Sequence, residues 1–308
     1  MDARIITYDA TRPRLSWTDT MEAIRAGHTR PRAQIGDLFL GPSDGTLLTR
    51  GAYVEGLGYG VKSVTVFSGN ADRGLPTVQG AMFVFSPEDG HLEAIVDSRL
   101  VTEFKTAGDS ILGARLLACP DPVELLIVGG GTVARSLILA YGAAFPSLER
   151  ISIWSRRPEQ AEALADEFPS HSASVAAVDD LARAAGHADI VSTATMAREP
   201  VLRGKWIAPG THVDLIGAFK PDMREADDAL ISGGSLFVDS RETTIGHIGE
   251  LSIPIAAGVI TPEDVRGDFH DLVSGGAGRR SDDEITVFKN GGGAHLDLMV
   301  ARYIASVA

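Results

Sequence analysis

Residues 124–134 read ELLIVGGGTVA, and the interpretation of this stretch decides the fold. Leu125 to Val128 form a continuous apolar run, suited to a parallel strand buried on both faces. Gly129-Gly130-Gly131-Thr132-Val133-Ala134 then has the spacing G-x-G-x-x-A and runs into SLILAYGA, an apolar helix. Each position answers a physical need. Gly129 makes the tight turn, Gly131 lets the backbone approach a pyrophosphate, and Ala134 allows close helix–strand packing. The new helix N-terminus, at Thr132 and Val133, supplies amide donors for the anion. The spacing alone is weak evidence, but here the strand precedes it and the helix follows it. The competing reading is a glycine-rich strand-to-helix turn that binds nothing.

The residues at the end of the next strand bear on which dinucleotide is bound. An NAD site places an acid about 20 residues on, against the ribose 2′-hydroxyl. This chain instead has Ile153-Trp154-Ser155-Arg156-Arg157 there, without a carboxylate. Ser155, Arg156 and Arg157 suit a 2′-phosphate through charge-assisted hydrogen bonds. NADP(H) is the preferred cofactor and NAD(H) the other possibility; a solvated arginine pair on a loop is the alternative.

Working outward, strand-like and helix-like segments alternate after Pro120-Asp121-Pro122: RISIWS, PEQAEALADEF, DDLARAAG, ADIVSTAT, THVDLIGA and SLFVDS. That is the rhythm of a Rossmann-type, doubly wound α/β domain, here residues 119–290. Upstream, residues 17–29 read as a helix with Met21 and Ile24 on one face, and residues 36–97 as a β-rich region with turns at SGNADRGLP and PEDG. Residues 102–118 read as a helix with Ile111, Leu112, Ala114, Leu116 and Leu117 in its apolar stripe. The tail, GGGAHLDLMVARYIASVA, reads as a glycine turn and an amphipathic helix that returns to the first domain. Residues 1–118 together with 291–308 thus form an α+β domain beside the nucleotide domain.

Bulk composition bounds the function. With 308 residues, 44% of them apolar, the chain suits two packed domains. A net charge of −13 argues against nucleic acid, which needs a basic face, but leaves room for small anions at a local positive site. Cys119 is the single cysteine, so no disulfide framework forms within the chain and a reducing compartment fits. No signal peptide is read in MDARIITYDATRPRLSW, and no segment approaches the roughly 20 apolar residues of a membrane span. A cytoplasmic protein is expected. The eight histidines (His28, His91, His171, His187, His212, His247, His270 and His295) show no metal-ligand spacing and read as scattered loop and surface residues. No metal is expected. There is no G-x-S-x-G elbow, and Cys119 has no evident activating partner.

Six motifs in order then carry a resemblance: GYGVKSVTVFSGN, GLPTVQG, the T-A-x-x-S helix start at 106–110, IVGGGTVA, HVDLIGAFKPDMRE and DEITVFKNGG. Over roughly residues 15–305 the chain resembles the ornithine cyclodeaminase and mu-crystallin family. The resemblance implies a dinucleotide domain and a second domain that binds substrate, forms a homodimer and is rejoined by the C-terminal helix. It implies chemistry on imino and amino acids with a nicotinamide cofactor.

Residue by residue, the resemblance places Lys62 near the substrate carboxylate and the reacting nitrogen, although strand alternation leaves its face open. Lys105, in VTEFKTAGDS, stands where the family commonly has arginine and would hold the substrate carboxylate as a point charge rather than a fork. Asp109 replaces a small residue and lies i,i+4 from Lys105, so the two share a helix face; an ordinary exposed pair is the competing reading. Arg32 is the looser match to a second carboxylate-binding arginine, with Arg30 competing, and Thr77 matches a small polar substrate residue. Thr106 belongs with the cofactor. Thr193, Ala194 and Thr195 lie beside the nicotinamide ribose by resemblance, Ile216 and Gly217 face its ring, and Asn290 and Gly291 approach from the C-terminal side, where many relatives have serine.

The largest departure is Phe219. Ornithine cyclodeaminases carry an aspartate two residues after the glycine, where Gly217 is followed by Ala218 and Phe219. Cyclodeamination takes a hydride from an amine carbon, loses ammonia and returns the hydride. Imine reduction needs less: a carboxylate clamp, a positive or hydrogen-bonding group at nitrogen, and a positioned hydride. The expectation is therefore an NADP(H)-dependent reductase of a ketimine or cyclic imine such as pyrroline-2-carboxylate, with catalytic candidates Lys62, Lys105 and Asp109. An ornithine cyclodeaminase in which Asp109 takes over the carboxylate role, an alanine-type amino-acid dehydrogenase, and a non-enzymatic NADPH-binding protein are the alternatives.

Overall fold

The structure, a computed structural model, describes residues 3–42 and 44–308. The chain divides into two compact units, Met1–Gly108 with Gly293–Ala308 and Asp109–Gly292. The division lies inside one helix, Ser98–Leu117, and not after it at residue 118. That helix buries Leu100, Val101 and Phe104 before the division and Ile111, Leu112 and Leu117 after it, so its apolar pattern runs on unbroken.

Among the described residues, the first unit holds six strands: β1 (Arg4–Ile6), β2 (Gln34–Leu40), β3 (Thr46–Val54), β4 (Gly58–Val66), β5 (Val78–Phe85) and β6 (Leu92–Asp97). Their order is β1-β6-β5-β4-β3-β2. Strands β2 to β6 form an antiparallel meander, as alternating patterns split by short turns predict. Strand β1, absent from the sequence reading, adds in parallel to β6. Three residues are too few for a periodic signal.

The helix Trp17–Gly27 packs on the helix Ala294–Val307, which lies against the sheet. Ser16 caps the first by accepting from Asp19 N, and Met21 and Ile24 are buried as their spacing predicts. This helix ends at Gly27, short of residue 29, and a Cβ there would lie 2.3 Å from Met299 Sδ. A Cβ on Gly60 of β4 would lie 2.9 Å from Leu298 Cδ1, so the C-terminal helix also sits directly on the sheet.

The second unit is an all-parallel sheet of β7 (Glu124–Val128), β8 (Arg150–Trp154), β9 (Ser174–Ala177), β10 (Ile190–Thr193), β11 (His212–Leu215), β12 (Ser235–Val238), β13 (Val265–Gly267) and β14 (Thr286–Lys289). The order β9-β8-β7-β10-β11-β14-β12-β13 reverses direction between β7 and β10, which is the switch point where such sheets bind ligands beyond their carboxyl ends. Leu126, Val128, Val191, Val213, Leu215 and Val287 build one core of the sheet.

Three histidines depart from the surface reading: His28, His212 and His295 are buried. His212 fills a place in β11 with Nδ1 2.9 Å from Thr286 Oγ1, and burial pushes it down to about 3, so it packs as a neutral ring. Among the described residues no His, Cys, Asp or Glu group could hold a metal ion. Among them, too, no helix is long and apolar enough to cross a membrane.

Candidate active site

In the second unit, Gly129 has φ +141° and a Cβ there would lie 2.5 Å from Ala194 O, so conformation and crowding both demand glycine. At Gly131 a Cβ would meet no protein atom within 4 Å. Protein packing does not require that glycine, and the space before it is open. Gly131 is the N-cap of the helix Thr132–Ala144 and offers no side-chain cap, which leaves first-turn amides at Thr132 and Val133 for an anion. Ala134 is buried against the sheet. The turn therefore fits a dinucleotide pyrophosphate. At the end of β8, Ser155 Oγ accepts from Arg157 N at 3.4 Å. Arg156 and Arg157 are exposed, and among the described residues neither guanidinium has a carboxylate partner.

Backbone bonds tie together the loops that follow β10, β11 and β14. Ala194 N donates to Val128 O, Ile216 N and Gly217 N donate to Thr193 O, and Asn290 N donates to Leu215 O. Buried acids hold the same loops from behind. Asp239 Oδ2 accepts from the amides of Gly291 and Gly292. Asp214 accepts from Ser192 Oγ at 2.5 Å, Asn290 Nδ2 at 2.6 Å and Tyr141 OH at 3.2 Å. A carboxylate only accepts, so it fixes the Asn290 amide with its nitrogen toward Asp214. Burial raises the Asp214 carboxyl, with these donors pulling the other way. Thr193 Oγ1 is buried without a hydrogen-bond partner among the described residues, a donor left for a ligand.

In the first unit, Lys62 lies on the buried face of β4, between Arg50 and Met82 in register. Its Nζ donates to Asp297 Oδ1 at 2.8 Å. Lys105 Nζ reaches the same oxygen at 3.5 Å. Both lysines and Asp297 are buried. Burial drives the Lys62 ammonium down, Asp297 pulls it up and Lys105 pushes it down again, leaving it at about 8. Burial would raise the Asp297 carboxyl, but Lys105, Lys62 and Arg50 outweigh it and hold it at about 2. Two cations and one anion give this cluster a positive balance, and Asp297 Oδ2 has no hydrogen-bond partner among the described residues.

Not every expected residue joins these two clusters. Asp109 is buried in the second unit, where its charge helps raise the Tyr141 hydroxyl, after burial and Asp214. It thus belongs with a buried polar group that includes Asp214 and Tyr141. Thr106 is half-buried on the helix Ser98–Leu117. Arg32 lies on an exposed loop before β2, and Thr77 is exposed before β5 with its carbonyl accepting from Phe67 N. Phe219 is exposed beneath Lys220, whose Nζ is 5.5 Å from the ring centroid. The sequence reading missed Asp297. Its signal was an acid inside the largely apolar AHLDLMVA.

The model of the "Ornithine cyclodeaminase/mu-crystallin family" matches residues 30–308. A Delta(1)-pyrroline-2-carboxylate reductase of Paracoccus denitrificans is 65% identical over 305 residues, covering 99% of this chain and 96% of that protein. Among solved structures, Thermococcus litoralis Delta(1)-pyrroline-2-carboxylate reductase in complex with NADH and L-proline matches with a TM-score of 0.92 and 26% identity, over 99% of this chain and 97% of that one. An archaeal alanine dehydrogenase dimer with bound NAD matches with a TM-score of 0.91 and 29% identity, over 100% of this chain and 96% of that one.

Proposed function

Because the chain belongs to the ornithine cyclodeaminase/mu-crystallin family, we propose that it reduces a small 2-imino acid, of the pyrroline-2-carboxylate kind, to the amino acid. The observation that carries this reading is the buried Lys62–Asp297–Lys105 cluster. Its positive balance suits one substrate carboxylate, with Lys105 as the principal clamp. Lys62, at about 8, is a proton donor matched to neutral pH and would protonate the imine nitrogen. Asp297 holds both lysines, and its Oδ2 remains to accept from the resulting N–H. Protonation makes the imine carbon a better hydride acceptor. A bound dihydronicotinamide supplies the hydride, while the chain supplies position and charge. The pyrophosphate would rest on Gly129, Gly131, Thr132 and Val133.

NADP(H) is the preferred cofactor in this reading, supported by Arg156 and Arg157, which have no carboxylate partner among the described residues. A homodimer is supported by the exposed edge strand β2, where Leu38, Phe39 and Leu40 are each at least half exposed. A cytoplasmic location accords with a single cysteine. Phe219 in place of the cyclodeaminase aspartate weighs against release of ammonia from ornithine.

The test is NADPH oxidation, followed by absorbance, with pyrroline-2-carboxylate and piperideine-2-carboxylate, beside an ammonia assay with ornithine. Imine-dependent oxidation without ornithine turnover is expected. Ammonia and proline from ornithine would overturn the reading and return attention to Asp109.

A further inference from the structure

We propose that Glu225 is a positioning residue for the nicotinamide end of the cofactor site, stapling the loop after β10 to the loop after β11. The inference rests on the dinucleotide reading of the second unit. Glu225 is fully buried and both its oxygens are in use. Oε1 accepts from Thr195 N and Thr195 Oγ1, each at 2.7 Å. Oε2 accepts from Gly217 N at 2.6 Å and Ala218 N at 3.2 Å. One side chain thus gathers three amides and a hydroxyl from two loops at the carboxyl ends of adjacent strands, next to the switch point.

The approach is as close as the backbone permits. A Cβ on Gly217 would lie 2.2 Å from Thr195 O and 2.5 Å from Glu225 Oε1. The staple is itself anchored. Glu225 N and Ala226 N donate to the buried Glu250 carboxylate at 2.8 and 2.9 Å, and Glu225 O accepts from Val201 N and Leu202 N. Behind β11, Lys289 Nζ donates to Leu215 O at 2.7 Å. Burying a carboxylate is costly unless its lone pairs are filled. Here they are filled by the backbone of the loops that would face the nicotinamide, and amides so engaged are withdrawn from the ligand. Glu225 therefore shapes the wall and does not touch the ring.

Only a carboxylate of this length serves. Glutamine has one accepting oxygen, and its NH2 group would confront amide donors. Aspartate keeps the charge but is one methylene shorter and cannot span both loops. The pyrophosphate and the adenosine 2′-phosphate would rest on other residues, Gly129 to Val133 and Ser155 to Arg157. A loosened staple should therefore spoil hydride transfer and spare adenine binding.

The experiment compares wild type, Glu225→Gln and Glu225→Asp. It measures kcat and KM for pyrroline-2-carboxylate, the Kd of NADPH by fluorescence, the Kd of adenosine 2′,5′-bisphosphate, and the Tm. For a folded variant the expected result is a fall in kcat of about tenfold or more, since small misplacements of reacting groups cost that much, with Kd for the adenine fragment unchanged. Wild-type kcat in both variants overturns the proposal. So does parallel loss of fragment binding and kcat, or loss of folding in both, because Glu225 would then serve the fold alone. If Glu225→Gln fails to fold, Glu225→Asp decides by the same readings. Should wild type bind neither NADPH nor the fragment, the dinucleotide reading itself falls, a result distinct from failure of the staple.

Discussion

Replacing Asp297 by asparagine should move the alkaline limb of imine reduction to lower pH. Lys62 must carry its proton to donate it, so kcat/KM falls as pH rises through its value of about 8. Asp297 is the group that holds that value up, from 2.8 Å away. At an effective dielectric of about 20, unit charges that far apart attract by about 6 kcal/mol, an upper bound. A quarter of it, about 1.5 kcal/mol, already moves the limb by about one pH unit. The limb of Asp297→Asn is therefore expected at or below about pH 7, by the same linkage. Lys105→Gln should shift it the other way, because Lys105 pushes Lys62 down. The assay is kcat/KM for pyrroline-2-carboxylate against pH, from the absorbance of NADPH. Titration of the free imine appears equally in all three proteins, so differences between them belong to the protein. Limbs that coincide in three folded proteins would refute Lys62 as the proton donor.

The same cluster sets a stability prediction. Asp297 has its folded value held down at about 2, so its contribution is present above its ordinary carboxylate range and lost as pH falls toward 2. Removing its charge strands two buried lysines, and Asp297→Asn should cost about 3–5 kcal/mol at neutral pH, read by denaturant unfolding. Raising the pH from about 6 to about 8 should narrow that deficit, because Lys62 of the variant sheds its proton before that of the wild type. Changing Arg156 and Arg157 to alanine should raise the Kd of NADPH by about tenfold or more and leave that of NADH nearly unchanged; equal effects on both would remove the 2′-phosphate assignment. Gly131→Val should keep the Tm and weaken NADPH binding by about tenfold or more, since only a ligand competes for that space. Gly129→Ala should lower the Tm by several degrees, because φ +141° and the contact with Ala194 O strain it whether or not cofactor is present.

How much of this was legible in the sequence depended on the range of the interaction. The glycine turn, the buried strand before it and the helix after it are local, and one stretch of residues carried them. The alternation of strands and helices beyond it followed for the same reason. Lys62 was harder, because Val61 and Val64 lie on opposite faces of β4 and a period of two could not say which face was covered. The helix Ala294–Val307, far away in the chain, covers it. Asp297 had a faint local signal as an acid among Leu296, Leu298 and Met299. Glu225 and Glu250 had none, since their meaning lies in amides from four separate segments. His212 looked like an ordinary scattered residue until β11 was seen to be buried between β10 and β14.

The acidic balance of the chain and its proposed anionic substrate are reconciled by local charge. Net charge acts at long range and is screened within about 10 Å by salt, whereas a buried cluster is screened little. In the first unit, Arg50 pairs with Asp37, with Nη2 2.8 Å from Oδ2, while Lys62 and Lys105 share the Asp297 carboxylate. One positive charge remains, and one substrate carboxylate cancels it. In the proposed reading, the cluster therefore suits an imine that brings one carboxylate to the two lysines. Within that class the size of the ring has less leverage, because a methylene more or less changes apolar contact by only about 1–3 kcal/mol.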